Sequence, residues 1–199
     1  MSGLRERKKQ ATREALRAAA LRLALERGPD EVRVEDIAAA AGVSPRTYNN
    51  YFASKEQAIV AAVTAEREAR VAAALADRPA VRLADAVTEA VVSQYTGEHD
   101  PAALLLITTR PALREVFVGA AAAMEHPLTA AIAHRLATTD PYTAPVLAAS
   151  VVAAVQVALR QWLRPPTPSG LLVPTGSLPD LLRAALAPLA PALDAAEAR

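Results

Sequence analysis

The chain has 199 residues, 52% apolar and 22% charged, which provides apolar material for one large or two small globular domains and excludes a disordered polyelectrolyte. It contains no cysteine, so a disulfide framework, a thiol nucleophile and a thiolate metal site are excluded, and a cytoplasmic location is expected. The net charge of +1 conceals an asymmetry: residues 1–55 carry 11 Lys and Arg against 7 Asp and Glu, whereas the remainder carries 11 against 14, as suits a protein that docks one end on a polyanion.

The first helix is expected over Arg7–Arg27, burying Leu16, Ala19, Ala20 and Leu23 and ending at Gly28-Pro29. The basic run Arg5 to Lys9 is followed by no apolar block and is therefore not a signal peptide. In a second helix, Val34, Ile37, Ala38 and Ala41 recur at helical spacing, Gly42 suits a left-handed C-cap, and Val43 can close a small core beneath the turn. Ser44 is a good N-cap and Pro45 fits the first helical position, so a third helix is expected from there to about Phe52, with Val43 and Tyr48 placed as a hydrophobic staple. Ser54 and Gln57 have the spacing of a capping box opening a fourth helix, expected to run unbroken from Lys55 to about Ala76 with Ile59 and Val63 packing inward. Lys55 in its first turn opposes the helix dipole, a cost that a DNA phosphate would offset.

Further helices are expected at Val81–Tyr95, Pro101–Thr108 with Asp100 as cap, Pro111–Ala137 with a break at Pro127, Ala144–Leu163 and Leu178–Ala196. The last contains Pro188 and Pro191, each costing about 3 kcal/mol in a helix interior, so it should kink or split near Ala187. Pro165 to Pro179 holds five prolines and two glycines and reads as a linker, with Ser177 and Asp180 available to cap the helix after it. The uncharged run Pro141 to Leu159 approaches the roughly 20 residues that a membrane span needs. Its two prolines, Thr143, Ser150, Gln156 and many alanines favour a buried interface helix, and no membrane association is expected. With no trustworthy strand alternation anywhere, the class is all-α.

The segments Ser44-Pro45-Arg46-Thr47 and Phe52-Ala53-Ser54-Lys55-Glu56, following the turn at Gly42, resemble the DNA-binding domain of the TetR family of bacterial repressors, in its SPRT-type subgroup. The resemblance implies a helix-turn-helix DNA-binding domain over residues 1–55 and an effector-binding and dimerisation domain over residues 56–199. It places Ser44, Arg46, Thr47, Asn49, Asn50 and Tyr51 at the DNA, turns Tyr48 inward, gives Lys55 a phosphate, and adds Thr12, Arg13 and Arg33 as flanking contacts. Arg46 has the chemistry to grip guanine O6/N7, and either Asn49 or Asn50 to grip adenine N6/N7, each pair worth about 1–3 kcal/mol of discrimination. Thr47 and Tyr51 suit phosphates. Asn49 stands where the family usually has an aromatic, Tyr48 where it has a smaller or non-hydroxylated apolar residue, and Arg33 where Ser or Thr is common.

The family also implies a homodimer that binds an inverted-repeat operator in double-stranded DNA, with recognition helices about 34–36 Å apart. Two apolar stripes are candidates for the interface, Val151, Val155 and Leu159 in one and Leu182, Leu186 and Leu189 in the other. Polar residues set in apolar helices, namely Gln94, Tyr95, Thr108, Arg110, His126, Gln156, Arg160 and Trp162, are candidates to orient an effector. An aromatic content of 4% points to a small aliphatic or acyl-type ligand rather than a planar aromatic one. His126 and His134 lie eight apart with Pro127 between them and no acidic or Cys partner at metal spacing, so neither a metal nor a cofactor is expected. The expected function is a ligand-responsive dimeric repressor; the alternative is a DNA-binding regulator without an effector, constitutive, activating or architectural. An enzyme or lipid carrier is disfavoured, because no catalytic triad, paired carboxylate, phosphate loop or cofactor fingerprint is present.

Overall fold

The computed structural model describes residues 2–65, 67–78, 80–96, 100–164 and 177–198, and among these it is built of helices with no strand. The order is α1 (Ser2–Arg27), α2 (Val34–Ala40), α3 (Pro45–Asn49), α4 (Lys55–Thr64), α5 (Arg67–Ala76), α6 (Leu83–Thr96), α7 (Pro101–Thr109), α8 (Pro111–Gly119), a 3-10 segment at Ala120–Met124, α9 (Glu125–Leu136), α10 (Thr143–Trp162), α11 (Leu178–Leu186), a 3-10 turn at Ala187–Leu189 and α12 (Ala190–Glu197). These divide into two compact units, Met1–Ala65 with His99–Ala120, and Glu66–Glu98 with Ala121–Arg199.

In the first unit α1 packs on α2, α4 and α7, α2 on α3, and α8 on α4 and α7. Leu16, Ala20, Leu23, Ile37, Ala38, Tyr48, Phe52, Ala58 and Ile59 are buried there. α1 begins at Ser2, well before the expected Arg7. Residues 4–12 contain mostly strong helix formers and no proline, and pairs such as Gln10 to Glu6 at 3.3 Å support the early turns. Gly28 ends the helix at φ +84°, a conformation open to glycine at little cost.

α4 does not continue into the next helix as expected. It stops at Thr64, Ala65 is extended at φ −51° and ψ 139°, and α5 begins afresh at Arg67. No proline or glycine marks the break, which falls where the chain passes from one compact unit to the other. Residues 56–65 therefore belong with the helix-turn-helix rather than with the remainder, and the division differs from one drawn at residue 55 because α4 buries Ala58, Ile59 and Val60 within the first unit.

In the second unit α10 packs between α9 and α11, α5 on α6 and α9, and α6 on α11 and α12. The helix expected over Pro111–Ala137 breaks at Ala120–Met124 rather than at Pro127. Pro127 falls in the first turn of α9, where its missing N–H leaves no intrahelical bond unmade. The split at Ala187 occurs as the two following prolines require. Most of the expected linker, residues 165–176, lies outside the described residues; Ser177 caps α11 by accepting from the Asp180 N–H.

Val151, Val155, Leu159, Leu182 and Leu186 were expected at a subunit interface, but each is 0–2% exposed within a single chain. They fill the core between α10 and α11, so they cannot face a partner; Leu189 is half-buried. This packing also accounts for α10, which like Pro111–Leu136 is long and apolar enough to cross a membrane by length and composition alone.

α12 closes this unit through its acids. Glu197 accepts from the Leu83 N–H at 2.7 Å and Asp194 from the Ala84 N–H at 3.3 Å, satisfying open donors in the first turn of α6. Arg135 from α9 donates to Glu197 at 2.9 Å through Nε and to the carbonyls of Arg78, at 2.8 Å, and Val81.

Candidate nucleic-acid interface

Hydrogen bonds fix the turn between α2 and α3. Gly42 sits at φ +70°, its N–H donates to the Ala39 carbonyl at 3.1 Å, and the Val43 N–H reaches back to Ala38 at 2.9 Å, which together make a Schellman motif. The Ser44 hydroxyl accepts from the Thr47 N–H at 3.1 Å and lies 2.9 Å from the Thr47 hydroxyl. α3 then runs only to Asn49, short of the expected Phe52. The Asn50 and Tyr51 N–H groups bond three residues back, to Thr47 and Tyr48, so the last turn tightens and delivers Phe52 into the core.

Tyr48 turns inward and is fully buried, its hydroxyl donating to the Ser54 carbonyl at 2.8 Å. Burial, helped by nearby Glu56, pushes its phenol up to about 12. Arg46, Asn49 and Asn50 are exposed and Tyr51 is half-buried, so the outward face of α3 carries the groups expected at the DNA. Ser54 accepts from the Gln57 N–H at 3.2 Å, while the Gln57 side chain takes the Ala53 N–H at 3.0 Å instead of closing a strict capping box on Ser54.

Three flanking residues have partners within the unit. Lys55 Nζ donates to the carbonyls of Val32 at 2.9 Å and Asp30 at 3.3 Å, so the cation in the first turn of α4 is stabilised by main-chain oxygens and needs no phosphate to account for it. The Arg13 guanidinium lies over the Phe52 ring, 5.7 Å from its centroid, and the Thr12 hydroxyl donates to the Lys8 carbonyl at 3.0 Å. Arg33 is exposed at the N-cap of α2; its own N–H is received by Asp36 at 3.1 Å.

Beside α3 the first unit opens into a groove of about 1060 Å³ lined by Arg5, Glu6, Lys8, Lys9, Thr12, Thr47, Asn50 and Tyr51. It unites four of the expected DNA-facing residues with three cations of the first helix that did not figure among them. The missed signal was spacing: Arg5, Lys8, Lys9 and Thr12 fall at i, i+3, i+4 and i+7 on one helix face.

The expected effector residues fall in both units. Thr108 and Arg110 belong to the first unit, where Arg110 pairs with Asp30 at 2.9 Å and the Thr108 hydroxyl donates to the Leu105 carbonyl at 3.1 Å. His126 and Arg160 are exposed, Gln156 and Trp162 are half-buried, and Gln94 donates to the Ala90 carbonyl at 3.3 Å. Tyr95 is buried, with the Arg67 guanidinium stacked 4.2 Å from its ring centroid. Burial pushes the Tyr95 phenol up against the opposing pull of Arg67, and burial lowers the Arg67 guanidinium. No group of three or more His, Cys, Asp or Glu side chains that could hold a metal ion occurs among the described residues.

Comparison with known proteins agrees with this geometry. Residues 16–62 match the family described as bacterial regulatory proteins, tetR family, and residues 81–194 match the family described as MftR C-terminal domain. The HTH-type transcriptional regulator TcmR of Streptomyces glaucescens is 46% identical over 78 residues, which are 39% of this chain; the chain spans only 34% of that relative's length. Among solved structures, Thermus thermophilus FadR, a TetR-family transcriptional repressor in complex with lauroyl-CoA, is similar with a TM-score of 0.54 and 22% identity over 89% of this chain and 92% of that one. The multidrug binding protein EbrR complexed with imidazole is similar with a TM-score of 0.48 and 26% identity over 90% of this chain and 94% of its own.

Proposed function

The chain belongs to the TetR family of transcriptional regulators, DNA-binding helix-turn-helix proteins rather than enzymes, and we propose that it acts in the cytoplasm as a ligand-responsive dimeric repressor of a palindromic operator. The observation that carries this reading is the rigid Schellman turn leading into the Ser44-capped α3, with Tyr48 anchored inward and Arg46, Asn49 and Asn50 left facing out. A helix so held can enter a major groove at a fixed angle, with Arg46 reading guanine and one of the two asparagines adenine. Ser44, Thr47, Tyr51, Thr12, Arg13 and Arg33 flank it as phosphate or positioning contacts, and Lys55 serves by pinning the Asp30–Val32 turn, with its remaining N–H available to a phosphate.

The partner copy docks on the face of α10 that the core leaves free. Tyr142, Val146 and Val157 are 75%, 60% and 59% exposed, and Ala149 and Ala153 lie between them on the same face. The neighbouring surface of α11, the 3-10 turn and α12 shows Ala184, Ala187, Pro188, Pro191 and Ala192, compact residues that let helices approach closely. A two-fold axis through this apolar face buries it in both copies.

The effector is read by the second unit. Tyr95 and the Arg67 guanidinium beside it are a buried polar pair in apolar surroundings, which a polar atom of a small, mainly aliphatic ligand would engage. Effector binding lowers operator affinity by population shift, and a coupling of about 1–3 kcal/mol is sufficient. α4 ends at Thr64, so no continuous helix acts as a rod in this coupling. The test is selection of bound fragments from sheared genomic DNA by the purified protein at moderate salt, followed by release with candidate effectors. Recovery of an inverted repeat that an aliphatic ligand releases is expected. A direct or absent repeat would overturn the dimeric operator, and an operator complex released by no ligand would favour a constitutive regulator.

A further inference from the structure

One face of α1 changes character along its length. Leu16, Ala19, Ala20, Leu23 and Ala24 are buried, and the same face followed back at spacings of three and four continues as Thr12, Lys9, Lys8 and Arg5. The helix therefore runs past the end of its own core, and where an apolar side chain would have nothing to cover, the sequence places cations. Arg5, Lys8 and Lys9 are exposed, and they make no side-chain hydrogen bond or ion pair among the described residues, whereas Glu6 beside them is engaged by Gln10 at 3.3 Å. They form one wall of the groove of about 1060 Å³ whose opposite wall is Thr47, Asn50 and Tyr51 at the end of α3. All three cations precede residue 16, where the match to the family's DNA-binding region begins.

Resting on the DNA-binding reading above, we propose that Arg5, Lys8 and Lys9 form a phosphate clamp. A sugar–phosphate backbone lies in the groove between the first turns of α1 and the end of α3, held by three cations on one side and by Thr47, Asn50 and Tyr51 on the other. The clamp adds affinity and fixes the register of α3 but carries no sequence information, because its cations reach only phosphates. The groove's open form and its excess of positive charge over the single Glu6 suit a continuous polyanion passing through.

The experiment compares the full-length protein with its Arg5→Gln/Lys8→Gln/Lys9→Gln variant, using the fragment that the wild type selects from genomic DNA. Glutamine is a comparable helix former, and circular dichroism checks that α1 persists. Affinity is measured by anisotropy across a potassium chloride series and against single-base variants of the fragment. The expected result is weaker binding with a salt slope shallower by about 0.9 for each phosphate no longer neutralised, and an unchanged ranking of the base variants. The companion Arg5→Lys/Lys8→Arg/Lys9→Arg variant should restore the wild-type slope. An unchanged slope and affinity in the glutamine variant would overturn the clamp, and so would a changed base ranking. If the wild type itself selects no fragment, the failure lies with the DNA-binding reading and takes the clamp with it, a result read before any variant is made.

Discussion

Tyr48 and Ser54 are joined by a 2.8 Å hydrogen bond from the phenol to the main-chain carbonyl, which ties the recognition helix to the residue that caps the helix following it. The Tyr48 ring also meets Phe52, with centroids 5.9 Å apart. Tyr48→Phe keeps the packing but leaves the Ser54 carbonyl without this donor, so it should cost about 1 kcal/mol. A urea midpoint shift and a modest loss of operator affinity are expected, with the base preferences of the wild type retained because Tyr48 does not face outward.

The same tyrosine makes stability fall in alkali. Its pKa is raised in the folded state to about 12 from the ordinary 10.0, so folding favours the protonated phenol. That contribution is fully present below pH 10 and is lost as pH rises toward about 12, and Tyr95, also raised by burial, adds in the same direction. Chemical denaturation at a series of pH values should show a decline beginning near pH 10, and Tyr48→Phe should remove part of it.

Two left-handed positions give opposite predictions. Gly42, at φ +70°, has open space around the place a Cβ would occupy, so Gly42→Ala should destabilise through backbone conformation alone, by about 1–2 kcal/mol. Ala137, at φ 48°, already bears that cost at the end of α9, and Ala137→Gly should stabilise the second unit by up to about 1 kcal/mol. Thermal unfolding of both variants distinguishes a strain effect from a packing effect.

Arg135 makes four hydrogen bonds to three acceptors, one carboxylate oxygen of Glu197 and the carbonyls of Arg78 and Val81, with only 12% of its side chain exposed. Arg135→Ala should cost about 2–3 kcal/mol, since it leaves a carboxylate and two carbonyls without this donor. Burial opposes ionisation of Glu197, but the Leu83 N–H and Arg135 outweigh it and hold its carboxyl below the usual range. Its contribution is therefore present above the ordinary carboxylate pKa and lost as pH falls through the lowered one. Acid unfolding of Glu197→Gln should show a weaker pH dependence than the wild type.

The proposed partner face separates from the core beneath it. Val157→Glu places a charge on the exposed face of α10 and should convert a dimer to monomer in sedimentation while leaving helicity intact. Val155→Ala, two positions away in the core, should instead lower stability by about 1–3 kcal/mol without a direct effect on assembly.

Local chemistry between residues 28 and 57 was sufficient to specify the caps and the turn of that segment. Gly42, Ser44-Pro45 and Ser54 each specify a cap or turn through their own backbone and side-chain preferences, and the helix-turn-helix follows from their spacing. The two prolines after Ala187 likewise fix a split wherever they are packed. Periodicity identified the apolar faces of α10 and α11 but not what they cover: Val151 and Leu182 are apolar whether they meet their own chain or a second one, and only packing assigned them to the core. The break at Ala65 has no proline or glycine to announce it, and the partners of Lys55 and Arg110 lie 23–25 and 80 residues away in sequence. Contacts at that range depend on how the chain returns upon itself, which short-range propensity does not encode.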